Sequence, residues 1–501
     1  MIRASNIRGA IWFIVLTGAA WPQAIQLPLS GRAVSQSGSV NSVQTPIPGV
    51  TSSVNTLNSS VQVQGPYSGS ASDAKPFSGK LSFREAIERA LEYNLGVSGL
   101  TEAIRQARGQ SKIARGALLP NLNAALRETV QQTDLAALGL RINVPVPGFR
   151  FPTVVGPFNF FDLRATLTQT VADLTALNNY RSAGELIKAN AAAMRDARDL
   201  VVLATGGVYL QAAAASARIH SAEAQRETSQ ALLKQTQDRR SVGLVAQIDV
   251  NRAQVELQTQ EQRLTTLRND LSKQKINLAR IAGLPVTDAY ELTDDVPYSP
   301  APNLNVEQAI EQALSNRADL QSAAFQVRSA ERSRAAARAE RLPSLALTAD
   351  YGAIGINPSQ SHGTFSVTGA LRIPIWAGGR TEGSIAQAEA ALDQRRSEAT
   401  DVRGRIVADV RNAFLDLQAA AQQIDLARNN QGVARETLEL TRQRYEAGVT
   451  DSLEVIQARQ AIASAELDYI TAVFAHNLAK VSLARALGKA EASVGALLGL
   501  P

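Results

Sequence analysis

The sequence predicts an α+β membrane protein, built as a tandem duplication in which short β-hairpins from several copies share a barrel and long helices share a coiled-coil bundle. Three observations carry this. "LSFREAIERAL" at Leu81 recurs as "LNVEQAIEQAL" at Leu304, the signature of one supersecondary unit written twice. Each unit contains a pair of strand-like runs with period-two alternation. Each then enters a proline-free helical pattern long enough to reach on the order of 100 Å at 1.5 Å per residue.

The chain of 501 residues opens with "MIRASNIRGAIWFIVLTGAA", where Arg3 and Arg8 precede an apolar run from Ile11 to Ala20. That run is shorter than the ~20 residues a membrane span requires, so residues 1–20 read as a signal peptide. No later stretch reads as a transmembrane helix, and a membrane-embedded part must then be strands of a closed barrel. Residues 21–80 are rich in Ser, Gly, Val and Gln with little charge, a composition expected to form a disordered or loosely draped leader.

The first repeat is expected over 81–283 and the second over 304–488. Both start with a helix signature, Ser82 with Glu85 three residues on and Asn305 with Gln308 three residues on. A short helix and a second one follow, over Ser82–Leu119 and Val306–Leu342, each ended by a proline. Strands come next. In "TFSVTGALRIPI" the residues Phe365, Val367, Leu371 and Ile373 alternate with Ser366, Thr368, Ala370 and Arg372, so the strand has two different faces. Its hairpin partner is "SLALTADYGAIGI", and the first repeat supplies "NLNAALRETVQQ" and "NFFDLRATLTQTV". Phe158, Phe160 and Phe161 fit either an interfacial aromatic belt or packing against the adjoining loop.

The long helices are expected from Leu174 to Ser241 and from about Ala377 to Ala447. In the latter, Val402, Ile406, Val410, Phe414, Leu417, Ala421, Ile424 and Leu438 keep a spacing of three or four residues or its multiples. Each repeat ends on a matching phrase, "LARIAG" at Gly283 and "LARALG" at Gly488. A Pro-rich linker covers 284–303, and 489–501 reads as a C-terminal tail.

A single apolar stripe on so long a helix needs neighbouring helices in coiled-coil contact. Two hairpins supply too few strands, because a closed barrel takes at least about eight. Association of copies remedies both shortages. Three copies would give an even-numbered barrel of twelve strands, although the arithmetic leaves a dimer or tetramer open.

Other functions are excluded by what the sequence lacks. There is no cysteine, hence no disulfide, thiolate metal site or thiol nucleophile. His220, His362 and His476 stand apart from one another without metal or triad spacing, so no catalytic residue, metal or cofactor is expected. The net charge of +6 comes from arginines interleaved with acids along helices, a solvated face rather than a nucleic-acid patch. A secreted, adhesive trimeric coiled coil is the alternative, but it gives no reason for strand hairpins at the same place in both halves.

The duplication, "SVGLVAQIDV" at Ser241, "YEAGV" at Tyr445, "LEVIQARQ" at Leu453 and the strand-to-helix junctions "LTQTVADLT" and "LRIPIWAGG" together resemble the TolC-like outer-membrane efflux proteins. The likeness runs from about Leu81 to Gly488. It implies a homotrimer with a 12-stranded barrel in outer-membrane lipid, continued by a helical periplasmic tunnel. It further implies docking to a periplasmic adaptor (membrane fusion) protein and an inner-membrane pump of RND or ABC type, with passive export of small molecules, metals or proteins. The first junction departs from the family's double glycine, having Leu174 and Thr175, and a less sharp turn is expected there.

The resemblance also assigns the two glycines that interrupt the long helices, Gly243 and Gly448 (448 − 243 = 205), to the periplasmic tip. Adaptor docking falls on Val242, Gly243 and Leu244, which match the family's pattern, and on Gly448 and Val449, where only the glycine matches. The gate falls on Glu454, Gln457, Tyr445 and Thr450, with Asp249 as the corresponding carboxylate after Gly243. This chain keeps one acid and the Tyr but lacks the family's second acid and its Arg. Glu454 fits two roles, a ring of acids that attracts cations and the N3 member of a capping box behind Asp451.

Overall fold

The computed structural model describes residues 38–46, 53–55, 57–71, 77, 79–140, 152–286, 290–293, 298–300 and 305–499. The expected signal peptide, residues 1–20, lies outside them. The duplication is written into the element lengths. Helices α1 (Phe83–Tyr93) and α2 (Leu95–Gly116) have 11 and 22 residues, and so do α5 (Val306–Asn316) and α6 (Ala318–Ala339). The long helices α3 (Leu174–Ser241) and α7 (Arg380–Glu446) have 68 and 67 residues, and the returning α4 (Gln247–Ala282) and α8 (Ser452–Ala486) have 36 and 35.

Between the helices, β4 (Asn121–Asp134), β5 (Val154–Ala172), β7 (Ser344–Gly355) and β8 (Ser361–Arg372) form one antiparallel sheet in the order β4-β5-β7-β8. Its register sorts the residues by face. Leu122, Leu167, Ala349 and Val367 make one rung, and Ala124, Ala165, Tyr351 and Phe365 the next. The opposite face carries Asn123, Thr166, Asp350 and Ser366, then Ala125, Arg164, Gly352 and Thr364. One face is therefore apolar and largely exposed, the other polar, as a lipid-facing barrel wall requires. On the polar face Arg164 bonds Asp162 and Asp350 and reaches Thr364 at 3.2 Å, stapling three strands together. The phenylalanine cluster divides between the faces: Phe161 pairs with Glu128 on the apolar side, while Phe158 and Phe160 pair with Gln131 and Thr129 on the polar side. It does not form a single belt.

The helices follow the strands, with α2 against α3, α3 against α6 and α6 against α7. At the first strand-to-helix junction the missing double glycine is replaced by a cap. The Asp173 carboxylate accepts from Thr175 N at 2.8 Å and Ala176 N at 3.1 Å, whereas the second junction uses Gly378 and Gly379, both at positive φ. Asp173→Ala should cost about 1 kcal/mol of stability, read as a lowered midpoint in thermal unfolding monitored by circular dichroism.

Several expectations fail here. The leader is not wholly unstructured: β1 (Val40–Pro46) and β2 (Leu57–Val63) pair antiparallel and pack on α3 and α8. Its serines and asparagines find partners on those helices, which composition alone does not reveal. The linker contains β6 (Tyr290–Leu292), paired in parallel with β3 (Gly79–Leu81). The C-terminal tail forms α9 (Ala490–Leu498), with Val494 and Leu498 buried. One window of α3 is apolar enough by composition to cross a membrane, but 72% of it is buried inside the fold; it is the core helix. There Tyr209 is fully buried, meets Phe83 edge-on at 5.4 Å and donates to Leu81 O at 3.0 Å.

Candidate tip gate and docking turns

The long helices end in the same way. Gly243 N–H donates to Arg240 O at 3.0 Å and Leu244 N–H to Arg239 O at 2.9 Å; Gly448 N–H donates to Tyr445 O at 3.2 Å and Val449 N–H to Arg444 O at 2.9 Å. These paired bonds define a Schellman motif, which needs a left-handed residue just past the helix. Gly243 and Gly448 supply it with φ of 79° and 73°. A Cβ at either would meet nothing within 4 Å, so backbone conformation, not crowding, selects glycine. Such a turn usually tucks its next residue against the helix. Here Val242, Leu244 and Val449 stay 68%, 74% and 67% exposed, offering apolar side chains to solvent at both turns.

The helices that leave the turns start differently. Asp451 caps α8, its Oδ1 accepting from Leu453 N at 3.0 Å and Glu454 N at 3.3 Å. Ala246 at the equivalent position of α4 provides no side-chain cap. The half of the capping box contributed by Asp451 is thus present, while the Glu454 carboxylate lies 3.5 Å from Arg444 on the preceding helix. Asp249, the duplication partner of Glu454, lies instead 3.6 Å from Arg252 on its own helix. Gln457 is exposed one turn beyond Glu454.

Sequence reasoning overlooked the two arginines that organise this tip. Arg239 and Arg444 are duplication partners (444 − 239 = 205) in the last turns of α3 and α7, where a cation is favoured by the helix dipole. Their side chains diverge. Arg444 faces Glu454, whereas the Arg239 guanidinium lies 4.8 Å from the ring of Tyr445 and so bridges the two turns. Cation–π contacts of this kind contribute about 0.5–1 kcal/mol when exposed and more when dry. The Tyr445 hydroxyl and the Thr450 Oγ1 are buried without a hydrogen-bond partner among the described residues. Above them, Leu232 and Leu233 of α3, Ala253 of α4 and Ile456 of α8 pack as a small apolar cluster. Between the helices, the described residues of the tip are joined by the Arg444–Glu454 pair, the Arg239–Tyr445 contact and this apolar cluster. Among the described residues no cluster of His, Cys, Asp and Glu could hold a metal.

The comparisons agree with this architecture. The pattern of the family described as outer membrane efflux protein matches residues 86–284 and 309–489, one segment per repeat. Outer membrane protein OprJ of Pseudomonas aeruginosa is 28% identical over 445 residues, 83% of this chain and 86% of its own length. Outer membrane protein TolC of Escherichia coli is 24% identical over 304 residues, 58% of this chain and 61% of TolC. The Campylobacter jejuni CmeC outer membrane channel superposes with a TM-score of 0.70 at 17% identity, covering 90% of this chain and 94% of that one. With a match that spans both repeats, the chain belongs to the outer membrane efflux protein family.

Proposed function

We propose that this protein is the outer-membrane exit duct of a tripartite export system, assembled from three copies and closed at its periplasmic tip. One observation carries the reading: a four-stranded sheet with an apolar face and unpaired edges at β4 and β8, continuous with helices of 68 and 67 residues. Pairing β8 of one copy with β4 of the next repeats a head-to-tail contact that closes a ring, and twelve strands suit a membrane barrel. Because α2 and α7 occupy the same edges of the helical layer, one rotation closes both layers. A solitary adhesive coiled coil has no use for that sheet.

The family is one of outer-membrane efflux proteins, so the duct conducts passively and its energy comes from elsewhere. Docking to a periplasmic adaptor is assigned to the exposed Val242, Leu244 and Val449 around Gly243 and Gly448. Gating is assigned to Glu454, Tyr445 and Thr450, with Gln457 and Asp249 alongside. Holding the duct shut by Arg444–Glu454 and Arg239–Tyr445 implies a weak latch, since exposed ion pairs are worth at most about 1 kcal/mol.

Planar-bilayer recording tests both levels. The purified protein should give a cation-preferring conductance, and Glu454→Ala should weaken block by divalent cations about tenfold if three carboxylates ring the axis. Block that is unchanged in Glu454→Ala assigns the side chain to Arg444 alone.

A further inference from the structure

We propose that the β1–β2 strand pair is a strap that holds α8 against α3 and so biases the duct toward its closed state; the link to gating rests on the duct reading above. The strands lie over the seam between α3 and α8, and the intervening residues 53–55 reach farther. Ser53 Oγ donates to Asp468 Oδ1 at 2.6 Å, Val54 N–H to Asp468 Oδ2 at 3.0 Å, and Asn55 Nδ2 to Asp468 O at 2.8 Å. Asp468 is buried, as is Asn55. Val54 packs against a cluster of Ile424 and Ala427 from α7 with Ala472 from α8. One short segment therefore clasps two helices of the second repeat while its strands span the seam between the two repeats.

The seat is built into α3. Adjacent glycines inside a helix each cost roughly 1 kcal/mol against alanine, yet Gly206 and Gly207 interrupt α3 at its most buried stretch. A Cβ on Gly207 would stand 2.2 Å from Val61 Cγ2. The glycine is a notch for Val61 of β2, and it tells against incidental draping.

The contacts in the seat are mixed: Val40 is buried in the core around α3, with Val61 and Val63 packed against it. Besides the Asp468 clasp, Ser482 bonds Ser42 at 2.7 Å, and Ser59 Oγ is buried with no partner among the described residues. An element held partly by polar contacts at the margin of the core can lift at lower cost than the core itself.

What the strap restrains follows from the contacts below it. Toward the tip, α8 meets α3 through Ser221–Glu466 at 2.7 Å, Arg218–Thr471 at 3.2 Å and Arg459–Thr228 O at 2.9 Å, then through Ile456 in the leucine cluster. These are few and mostly polar, and α8 starts directly from the second tip turn. If the tip widens by parting α8 from α3, the strap resists the parting from farther along the same seam.

The test uses full-length protein with two substitutions that loosen the strap from opposite sides. Asp468→Asn removes the charged acceptor, and Gly207→Ala fills the notch. Each should raise the open probability in planar bilayers about tenfold, the loss expected for one charge-assisted bond, and the double variant should add little to either. Amide exchange over residues 456–471 should quicken in both. A merely structural glycine predicts the reverse for Gly207→Ala, a tighter helix with slower exchange. Exchange unchanged in both variants overturns the strap. Faster exchange with open probability within twofold of wild type overturns its bias on the gate. No conductance from wild type or any variant overturns the duct reading itself, and the exchange result still decides whether the strap holds the seam.

Discussion

Replacing Arg317 by alanine is expected to lower the unfolding free energy by about 3 kcal/mol, the cost of leaving a carboxylate buried without its cation. Arg317 joins α5 to α6 with its side chain 4% exposed, and its guanidinium bonds Asp319 at 2.6 Å and Asp409 of α7 at 2.8 Å. Burial alone would raise the Asp319 carboxyl, but the hydrogen bond and charge of Arg317 outweigh it and hold the group below the usual carboxylate range. A depressed acid contributes stability that is present above its unfolded pKa, near 3.9, and is lost as pH falls through the folded value. Arg317→Ala should therefore unfold earlier at neutral pH and show a shallower loss of stability below about pH 4. Arg317→Lys should recover part of the loss, since it restores the charge but not the two-pronged geometry. Thermal unfolding of the detergent-solubilised protein reads all three. A melting temperature for Arg317→Ala within a degree of wild type would show that the acids find water instead.

Local signals and tertiary ones differ in legibility. α3 runs from Leu174 to Ser241, the bounds read from the sequence, because its proline-free pattern and its terminal glycine are local features. The tip glycines were legible for the same reason, a positive-φ requirement at the end of a helical stripe. Arg239 and Tyr445 were not connected, because their contact joins the two repeats and leaves no trace in either. The strap was missed in a more instructive way. "LNSSVQV" carries Leu57, Val61 and Val63 at even spacing, but "VNSVQTP" shows no alternation, and a Ser-rich composition cannot bury enough apolar surface alone. They do not fold alone: they complete a seam whose helix had already given up a side chain at Gly207. The barrel face was legible from period-two alternation, whereas the division of Phe158, Phe160 and Phe161 between faces depended on register.

Acid should loosen the middle of the duct through His476. Its imidazole is fully buried on α8 beside Asn477, and the Tyr298 ring lies 5.1 Å away. One turn along α8, Lys480 is equally buried and its ammonium donates to Ser299 O. Burial lowers the His476 pKa first, the Lys480 charge lowers it further, Asn477 opposes them weakly, and the result is about 4. Burial likewise lowers Lys480 to about 8, so at neutral pH the lysine remains mostly charged and the histidine neutral. The unfolded chain binds a proton near 6.5 and the folded one near 4. Stability is then full above about pH 6.5 and declines as pH falls toward 4, by about 3 kcal/mol at 1.36 kcal/mol per unit. His476→Gln should remove that decline while leaving neutral stability within about 1 kcal/mol. Lys480→Met should shrink it, because the histidine loses the neighbouring charge that resists its protonation and moves back toward its ordinary pKa. Denaturation midpoints between pH 4 and 8 separate the cases. A slope that survives in His476→Gln would count against the histidine and could not come from the Asp196–Arg485 pair, because burial raises the Asp196 carboxyl. A raised acid stabilises the folded state at low pH and loses that contribution as pH rises, the opposite sign. His476 is thus the site whose protonation weakens this duct between about pH 6.5 and 4, above the range in which the Asp319 contribution is lost, and Lys480 sets how far below pH 6.5 the weakening extends.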